Sequence, residues 1–202
     1  MASSSNAQLM ENPFSQQPQP NVIHVSDSRD EINEDPMMRY IPLHKAALEG
    51  DWETAKRIFD RDPQAKSAAI NSVGLTLLHV AVGTGKKAIH FVRNMVELIM
   101  MDADNCEELM MARTIKGGHT ALHTAAHVDN TEAAIILVNR MPRQLYSPNN
   151  IRNDFPVHTA ALFSHKRTLL YLLQATKEQT PYDCYDGLRL LVYLIQAEFS
   201  RF

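Results

Sequence analysis

The sequence predicts an all-α solenoid of about four stacked helix-turn-helix units with projecting finger loops, followed by one C-terminal helix. Three observations predict this fold class. A short segment containing histidine recurs four times without gaps, an amphipathic stretch of helical period follows each copy, and turn-forming residues separate the units. With 202 residues, 45% of them hydrophobic, the chain has room for one such array and enough apolar side chains to bury inside it.

The first forty residues differ in composition from the rest. Up to residue 21 they are mostly Ser, Asn, Gln and Pro, and residues 27–35 are strongly acidic. Such a stretch buries too little apolar surface to offset the entropy lost on ordering, so residues 1–36 are predicted to be a disordered leader. Its acidic part is either a docking segment or simply solvated.

The repeated segments occupy residues 41–50, 76–85, 120–129 and 155–164, and they place the repeats within residues 37–180. Their histidines are separated by 35, 44 and 35 residues. The longer interval indicates an insertion around residues 101–113, in which Asp104 and Glu107 have the spacing of a capping box. This spacing predicts a short extra helical turn on the second unit.

The first helix of each unit begins at a recognisable cap. Thr76 and Thr120 stand at N-cap positions, and the histidine three residues later can reach back as Glu does in a capping box. Ile41 and Phe155 replace the threonine, so the first unit has no evident cap and Asp154 is the candidate cap of the fourth. The residues assigned to the repeat structure are His44, Thr76, His79, Thr120, His123 and His158.

The rest of each unit follows the same register. Second helices are predicted over residues 52–60, 87–101, 131–140 and 166–175, because apolar residues recur there at helical spacing. Gly50 and Gly85 can end their first helices in the left-handed conformation. Gly74, Gly118 and Asn153 occupy one register in the predicted finger turns.

These segments resemble the ankyrin repeat, whose signature is Thr-Pro-Leu-His-x-Ala on a period of about 33 residues. The resemblance covers residue 41 to about residue 175. It implies paired helices, finger loops, repeat histidines that hydrogen-bond to backbone, and a concave surface that binds other proteins.

A narrower resemblance rests on residues 50–52, 107–109, 160–166 and 186–191. These are similar to segments of plant ankyrin-repeat proteins whose longer members end in a PGG domain. Those members are membrane proteins with cytosolic repeats, linked to defence, cell death and salt signalling. Because this sequence has no apolar run near the ~18–20 residues of a membrane helix, the resemblance implies a signalling role only loosely.

Positions counted from the repeat histidines predict which residues form a partner-binding surface. Positions one, four and five residues after each repeat histidine are expected to point away from the core, and Phe163 and then Leu162 are the expected anchors. The predicted partner-binding residues are Lys45, Leu48, Glu49, Val80, Thr84, Thr124, His127, Thr159, Leu162 and Phe163. The sequence does not identify the protein partner.

One pattern suggests a nucleotide-binding enzyme. Gly83-Thr-Gly85 begins a G-x-G-x-x-G/A match, and Asp102 and Asp104 lie about 20 residues further on. The apolar run before the glycines is in register with three other copies that predict helix, whereas the dinucleotide motif requires a strand. A nucleotide-binding enzyme is therefore the remote alternative.

The remaining chemical patterns favour structural roles. His119, His123 and His127 are spaced four apart, but His119 falls in a predicted finger and no carboxylate or cysteine completes a zinc shell. Neither Cys106 nor Cys184 has a histidine at catalytic spacing. The prediction is a non-catalytic protein with no cofactor and no metal.

Charge and targeting signals limit partners and location. Beyond residue 40 the chain holds 18 basic and 17 acidic residues, so neither nucleic acid nor an anionic membrane surface is an expected partner. The N-terminus has no signal-peptide pattern. The expected location is cytoplasmic, with any membrane contact made at the cytosolic face through a partner.

Residues 181–202 form the last predicted element. Asp186 is expected to cap a helix over residues 187–199, which matches the first helix of a degenerate fifth unit in the resembling family. One apolar stripe comprises Leu188, Leu191, Val192, Ile195 and Phe199, and Leu190, Tyr193 and Leu194 make the opposite face partly apolar. The helix is either a truncated unit that binds a second copy or a longer relative, or a cap that folds back on repeat four.

Overall fold

The computed structural model describes residues 36–176 and 184–199. The predicted leader therefore lies outside the described residues, apart from Pro36 at its end. Within the described part the chain forms eleven α-helices, and regular strands are absent from it. They are α1 (Pro36–Arg39), α2 (Ile41–Glu49), α3 (Trp52–Arg61), α4 (Leu77–Gly83), α5 (Ile89–Met100), α6 (Cys106–Met110), α7 (Ala121–His127), α8 (Thr131–Arg140), α9 (Pro156–Leu162), α10 (Lys166–Ala175) and α11 (Cys184–Phe199).

Eight of these helices form four pairs: α2 with α3, α4 with α5, α7 with α8, and α9 with α10. The first helix of each pair packs against the first helix of the next, and α11 packs against α9 in the same way. Alanines make this close approach possible, since Ala46, Ala81, Ala125 and Ala160 are all buried between helices. The predicted all-α solenoid is confirmed.

The second helices begin and end close to the predicted residues. Helices α8 and α10 have the expected bounds, and α3 ends one residue later than expected. Helix α5 begins at Ile89 because a 3-10 turn over Gly85–Ala88 precedes it. In the insertion, α6 is the predicted extra turn, but Asp104 does not cap it: the backbone N–H of Asn105 donates to Asp102 Oδ1 at 3.3 Å.

The left-handed residues follow the repeat register at two positions. Five residues before a repeat histidine, Gly74, Gly118 and Asn153 have positive φ, at the register that the sequence assigns to the finger turns. Six residues after a repeat histidine, Gly50 and Gly85 also have positive φ, and so do Asp129 (54°) and Ser164 (59°). The chain thus turns in the same way after each first helix, with or without glycine.

The C-terminal helix differs from its prediction in two respects. It begins at Cys184, so Asp186 lies within its first turn and is not the N-cap. Of its predicted apolar stripe, Leu188, Leu191, Val192 and Ile195 are exposed, and the side chain of Phe199 lies outside the described residues. Tyr193 is buried, and Leu190 and Leu194 pack against the core. None of the described helices is long and apolar enough to span a bilayer.

Candidate functional site

The repeat histidines hold each first helix to the part of the chain that follows it. At α4, the N–H of Thr76 donates to His79 Nδ1 at 3.3 Å, and the Thr76 hydroxyl lies 2.8 Å from the same nitrogen. Since the backbone N–H can only donate, Nδ1 is the acceptor and the ring proton lies on Nε2. Nε2 then donates to the carbonyl of His119 in the next finger, at 3.0 Å.

The same arrangement recurs in the next two units. His123 Nδ1 accepts from the Thr120 N–H at 3.2 Å, and Nε2 donates to the carbonyl of Asp154 at 3.0 Å. His158 accepts from the Phe155 N–H at 3.1 Å and reaches the carbonyl of Asp186 at 2.9 Å. The predicted reach-back is therefore present at α4 and α7, and His158 makes the same bond at α9, where it was not predicted. Each of these histidines also ties its unit to the following one.

In the part of the chain that the structure describes, the first unit lacks the histidine bonds, and the fourth unit keeps them without the cap that its sequence predicts. In the first, α2 begins a residue earlier relative to His44, Tyr40 stands at the N-cap, and the half-buried His44 ring makes no such bond among the described residues. In the fourth, Asp154 is not the cap. Its carboxylate instead accepts hydrogen bonds from Arg189, at 3.1 Å, and from the hydroxyl of Tyr193, at 3.1 Å.

Burial lowers the pKa of three histidines in this part of the array. Desolvation lowers the pKa of His123 to about 3, although the hydrogen bond to the carbonyl of Asp154 opposes the shift. Desolvation also lowers the pKa of His79 and of His119. Neutral rings are required at His79 and His123, because in each of them Nδ1 accepts a hydrogen bond while Nε2 donates one.

Three finger loops lie side by side and form one wall: the first finger (residues 68–76), the second (112–120) and the third (147–155). Backbone hydrogen bonds join them, from the N–H of Ile115 to the carbonyl of Val73 and from the N–H of Asn150 to the carbonyl of Gly117, both at 2.9 Å. Arg113 adds a side-chain link between the second and third fingers. The wall is therefore a continuous, hydrogen-bonded surface.

A groove of about 560 Å³ lies between these fingers and helices α7 and α9. Its lining combines apolar side chains with basic and histidine side chains. The apolar ones include Val73, Leu75, Ile151, Leu162 and Phe163, and the others include Lys116, His119, His127 and Arg152. Such a mixture suits a peptide segment better than a small polar metabolite.

Half of the predicted partner-binding residues meet in this groove: Thr124, His127, Thr159, Leu162 and Phe163. Phe163 is 45% exposed, and the His127 ring stands edge-on to it with centroids 4.2 Å apart. This contact fixes the orientation of the predicted anchor before any partner binds.

The other predicted residues lie elsewhere. Lys45, Leu48 and Glu49 are exposed on α2, outside the groove. Val80 was expected to point outward, but it is only 7% exposed because neighbouring repeats cover its position. Thr84 is half-buried, and its hydroxyl donates to the carbonyl of Val80 at 2.9 Å. Thr159 lines the groove although little of its surface is exposed.

The finger residues of the groove were missed by sequence reasoning. Val73 and Ile151 are apolar side chains among polar turn formers, and both are exposed. Apolar residues at such positions, six or seven residues before a repeat histidine, were the available signal. Lys116 and Arg152 occupy the same part of the register.

The chemical alternatives find no support in the geometry. The segment before Gly83-Thr-Gly85 is helix α4, whereas the dinucleotide motif needs a strand there. The rings of His119 and His123 are 5.5 Å apart, but both nitrogens of His123 are engaged by the backbone. Among the described residues, no group of three or more metal-ligating side chains is close enough to hold an ion.

Comparison with known families decides what the repeat is. Residues 43–141 match the family model for ankyrin repeats, in three copies. These residues are ankyrin repeats. The α9–α10 pair lies beyond the match but keeps the ankyrin register, since it has the same histidine bonds and the same left-handed positions.

Solved structures show the same fold. One chain in the crystal structure of the yeast ribosomal protein Rps3 in complex with its chaperone Yar1 aligns with a TM-score of 0.64 at 20% sequence identity. The alignment covers 73% of this chain and 98% of that chain. At this identity the similarity shows the fold alone. No curated protein matches the sequence.

Proposed function

We propose that this ankyrin-repeat protein is a non-catalytic interaction module that holds a segment of another protein in the groove. The groove is the observation that carries the proposal. It exposes apolar side chains on walls that are already hydrogen-bonded together, so binding costs little ordering of the protein itself.

The lining suggests what the bound segment contains. Phe163 and Ile151 offer exposed apolar contacts on opposite walls, and Phe163 is the proposed main anchor. Lys116 and Arg152 are exposed at the finger side, and neither forms an ion pair with another described residue. A partner segment with an apolar side chain next to acidic residues fits both features.

The contact surface extends beyond the groove in this proposal. Lys45, Leu48 and Glu49 on α2 lie on the first helix of the array, so a longer partner reaches them by following the concave side. We assign them a lesser contribution than Phe163, because the Lys45 and Glu49 side chains are exposed and already close to each other at 3.9 Å.

The biological setting is also a proposal. The narrower sequence resemblance favours a cytoplasmic role in plant stress or defence signalling. A second possibility from the same resemblance is a cytosolic partner of a membrane signalling protein. Fractionation of cell extracts distinguishes the two, because only the second predicts that the protein sediments with membranes and is released when its partner is removed.

The test of the binding function compares three forms of the full chain in proximity labelling. The groove variant carries Phe163→Glu and Ile151→Glu, and the matched control carries Met101→Glu, which changes an exposed apolar residue outside the groove. We expect the wild-type and control chains to label the same proteins and the groove variant to lose a defined subset. Purified members of that subset should bind at least ~100-fold more weakly to the groove variant.

One result would refute the proposal. If all three folded chains label the same proteins with equal intensity, the groove does not bind a partner.

A further inference from the structure

The three fingers carry positive charge that no carboxylate among the described residues neutralises. Apart from histidine, the ionisable side chains in the fingers are three cations and one acid, Asp154. The carboxylate of Asp154 is only 3% exposed and is already paired with Arg189 at 3.1 Å. The three cations are Arg113, Lys116 and Arg152, and none of them forms an ion pair within the described part of the chain.

Arg113 places one of these charges between the second and third fingers. Its guanidinium donates to the carbonyls of Gly118 and Pro148, at 3.1 and 2.6 Å, and to the hydroxyl of Ser147 at 2.5 Å. These acceptors are neutral, so they fix the position of the guanidinium without cancelling its charge. The wall of the groove is therefore electropositive even before Lys116 and Arg152 are considered.

Lys116 and Arg152 line the groove from these same two fingers. Lys116 directly precedes Gly117, whose carbonyl accepts from the N–H of Asn150 at 2.9 Å, and Arg152 lies two residues after Asn150. This backbone bond holds the two fingers side by side, so a single group in the groove can meet both side chains. Both side chains are exposed, and the groove has no acid other than the paired Asp154.

We infer that the segment held in the groove carries a phosphorylated serine or threonine, whose phosphate contacts Lys116 and Arg152 beside the apolar contacts of Phe163 and Ile151. A phosphate brings a charge of about −1.5 to −2 and three acceptor oxygens, so one side chain neutralises both cations. A single carboxylate leaves one cation unmatched. Two carboxylates repel each other and require a second side chain to be ordered. The inference rests on the proposed function, because it names the chemistry of the segment that the groove binds.

The test uses the full chain and three peptide libraries that differ only at their centre. The centre is phosphoserine followed by alanine, two glutamates, or serine followed by alanine, and the flanking positions are degenerate. Peptides retained by the immobilised chain are sequenced, and the tightest binder from each library is synthesised with all three centres. The two-glutamate centre is the control for charge, because it matches the charge of phosphoserine on two side chains.

Fluorescence polarisation then gives the dissociation constant of each peptide for the wild type and for two variants. The cation variant carries Lys116→Gln and Arg152→Gln. The matched control is Arg93→Gln, which removes an exposed cation from α5 outside the groove. The side chains changed in the cation variant are exposed, so we expect both variants to fold, and circular dichroism checks their helix content.

We expect the phosphoserine centre to bind the wild type at least ~10-fold more tightly than the two-glutamate centre and ~100-fold more tightly than the serine centre. The cation variant should lose this preference, and Arg93→Gln should keep it. Equal binding of the phosphoserine and two-glutamate centres would overturn the inference and leave the groove as a binding site for a segment. A preference that survives in the cation variant would also overturn it, because the phosphate would then bind elsewhere.

Failure of the proposed function gives a different result. If Phe163→Glu with Ile151→Glu binds every selected peptide as tightly as the wild type does, the peptides do not occupy the groove, and both proposals are wrong. If none of the three libraries yields a peptide that binds the wild type, the inference about phosphate is overturned as well.

Discussion

His123 makes the stability of the array depend on pH, and its buried ring allows the size of the effect to be calculated. The ring is almost wholly buried, and its pKa in the folded protein is about 3, against about 6.5 in an unfolded chain. The unfolded protein therefore takes up the proton first as the pH falls. The stability that the neutral ring contributes is complete above about pH 6.5 and is lost progressively down to about pH 3.

The perturbation is a change from pH 7 to pH 5, applied to the wild type and to His123→Gln. At 1.36 kcal/mol per pH unit, protonation of the unfolded chain at pH 5 removes about 2 kcal/mol of unfolding free energy through His123 alone. Urea denaturation at both pH values gives the loss for each protein. The wild type should lose about 2 kcal/mol more than His123→Gln, whatever the absolute stability of the variant.

A control and a direct measurement make this prediction decisive. His90→Gln, which removes an exposed imidazole from α5, is the matched control and is measured in the same way. In NMR spectra, the His123 ring should keep its neutral chemical shift at pH 5. If the wild type and His123→Gln lose equal stability between pH 7 and pH 5, the ring is not buried and neutral, and the reasoning is refuted.

Two further predictions concern the local geometry. Thr76→Ala and Thr120→Ala should each lower the unfolding free energy by about 1 kcal/mol in chemical denaturation, because each removes a hydroxyl from a buried helix cap; unchanged midpoints for both would contradict the capping role. Gly74→Ala should cost more than Gly85→Ala, although both glycines have φ near +76°. A methyl group added at Gly74 would lie 2.8 Å from the backbone N of Ile115. A methyl group added at Gly85 would have no atom within 4 Å apart from those of its neighbours along the chain. We expect about 1 kcal/mol for Gly85 and at least twice that for Gly74, and equal losses would show that the fingers are not in close contact.

The repeat register carried most of the information in the sequence. It predicted the helix pairs, the reach of His79 and His123 to their caps, and the left-handed Gly50 and Gly85, because each of these depends on residues close together in the chain. It did not indicate that Asp129 and Ser164 adopt positive φ, since neither is the glycine or asparagine that usually marks this conformation.

The buried face of α11 and the groove both depend on contacts between residues that are far apart in the sequence. Both faces of α11 are apolar, so periodicity alone could not select the buried one. The hydrogen bonds of Arg189 and Tyr193 to Asp154, 35 and 39 residues away, hold one face against the array and leave the other outward. The groove has the same origin, because its finger residues come together only when successive repeats stack.

In each histidine bond between neighbouring repeats, the histidine is synthesised before the carbonyl that accepts its hydrogen bond. Each ring finds its carbonyl acceptor downstream, 40 residues on for His79, 31 for His123 and 28 for His158. A ribosome adding 5–20 residues per second delivers those acceptors about 1 to 8 s after the histidine itself. During synthesis, the bond from each of these three histidines to its downstream carbonyl can therefore form only after that part of the next unit has been made.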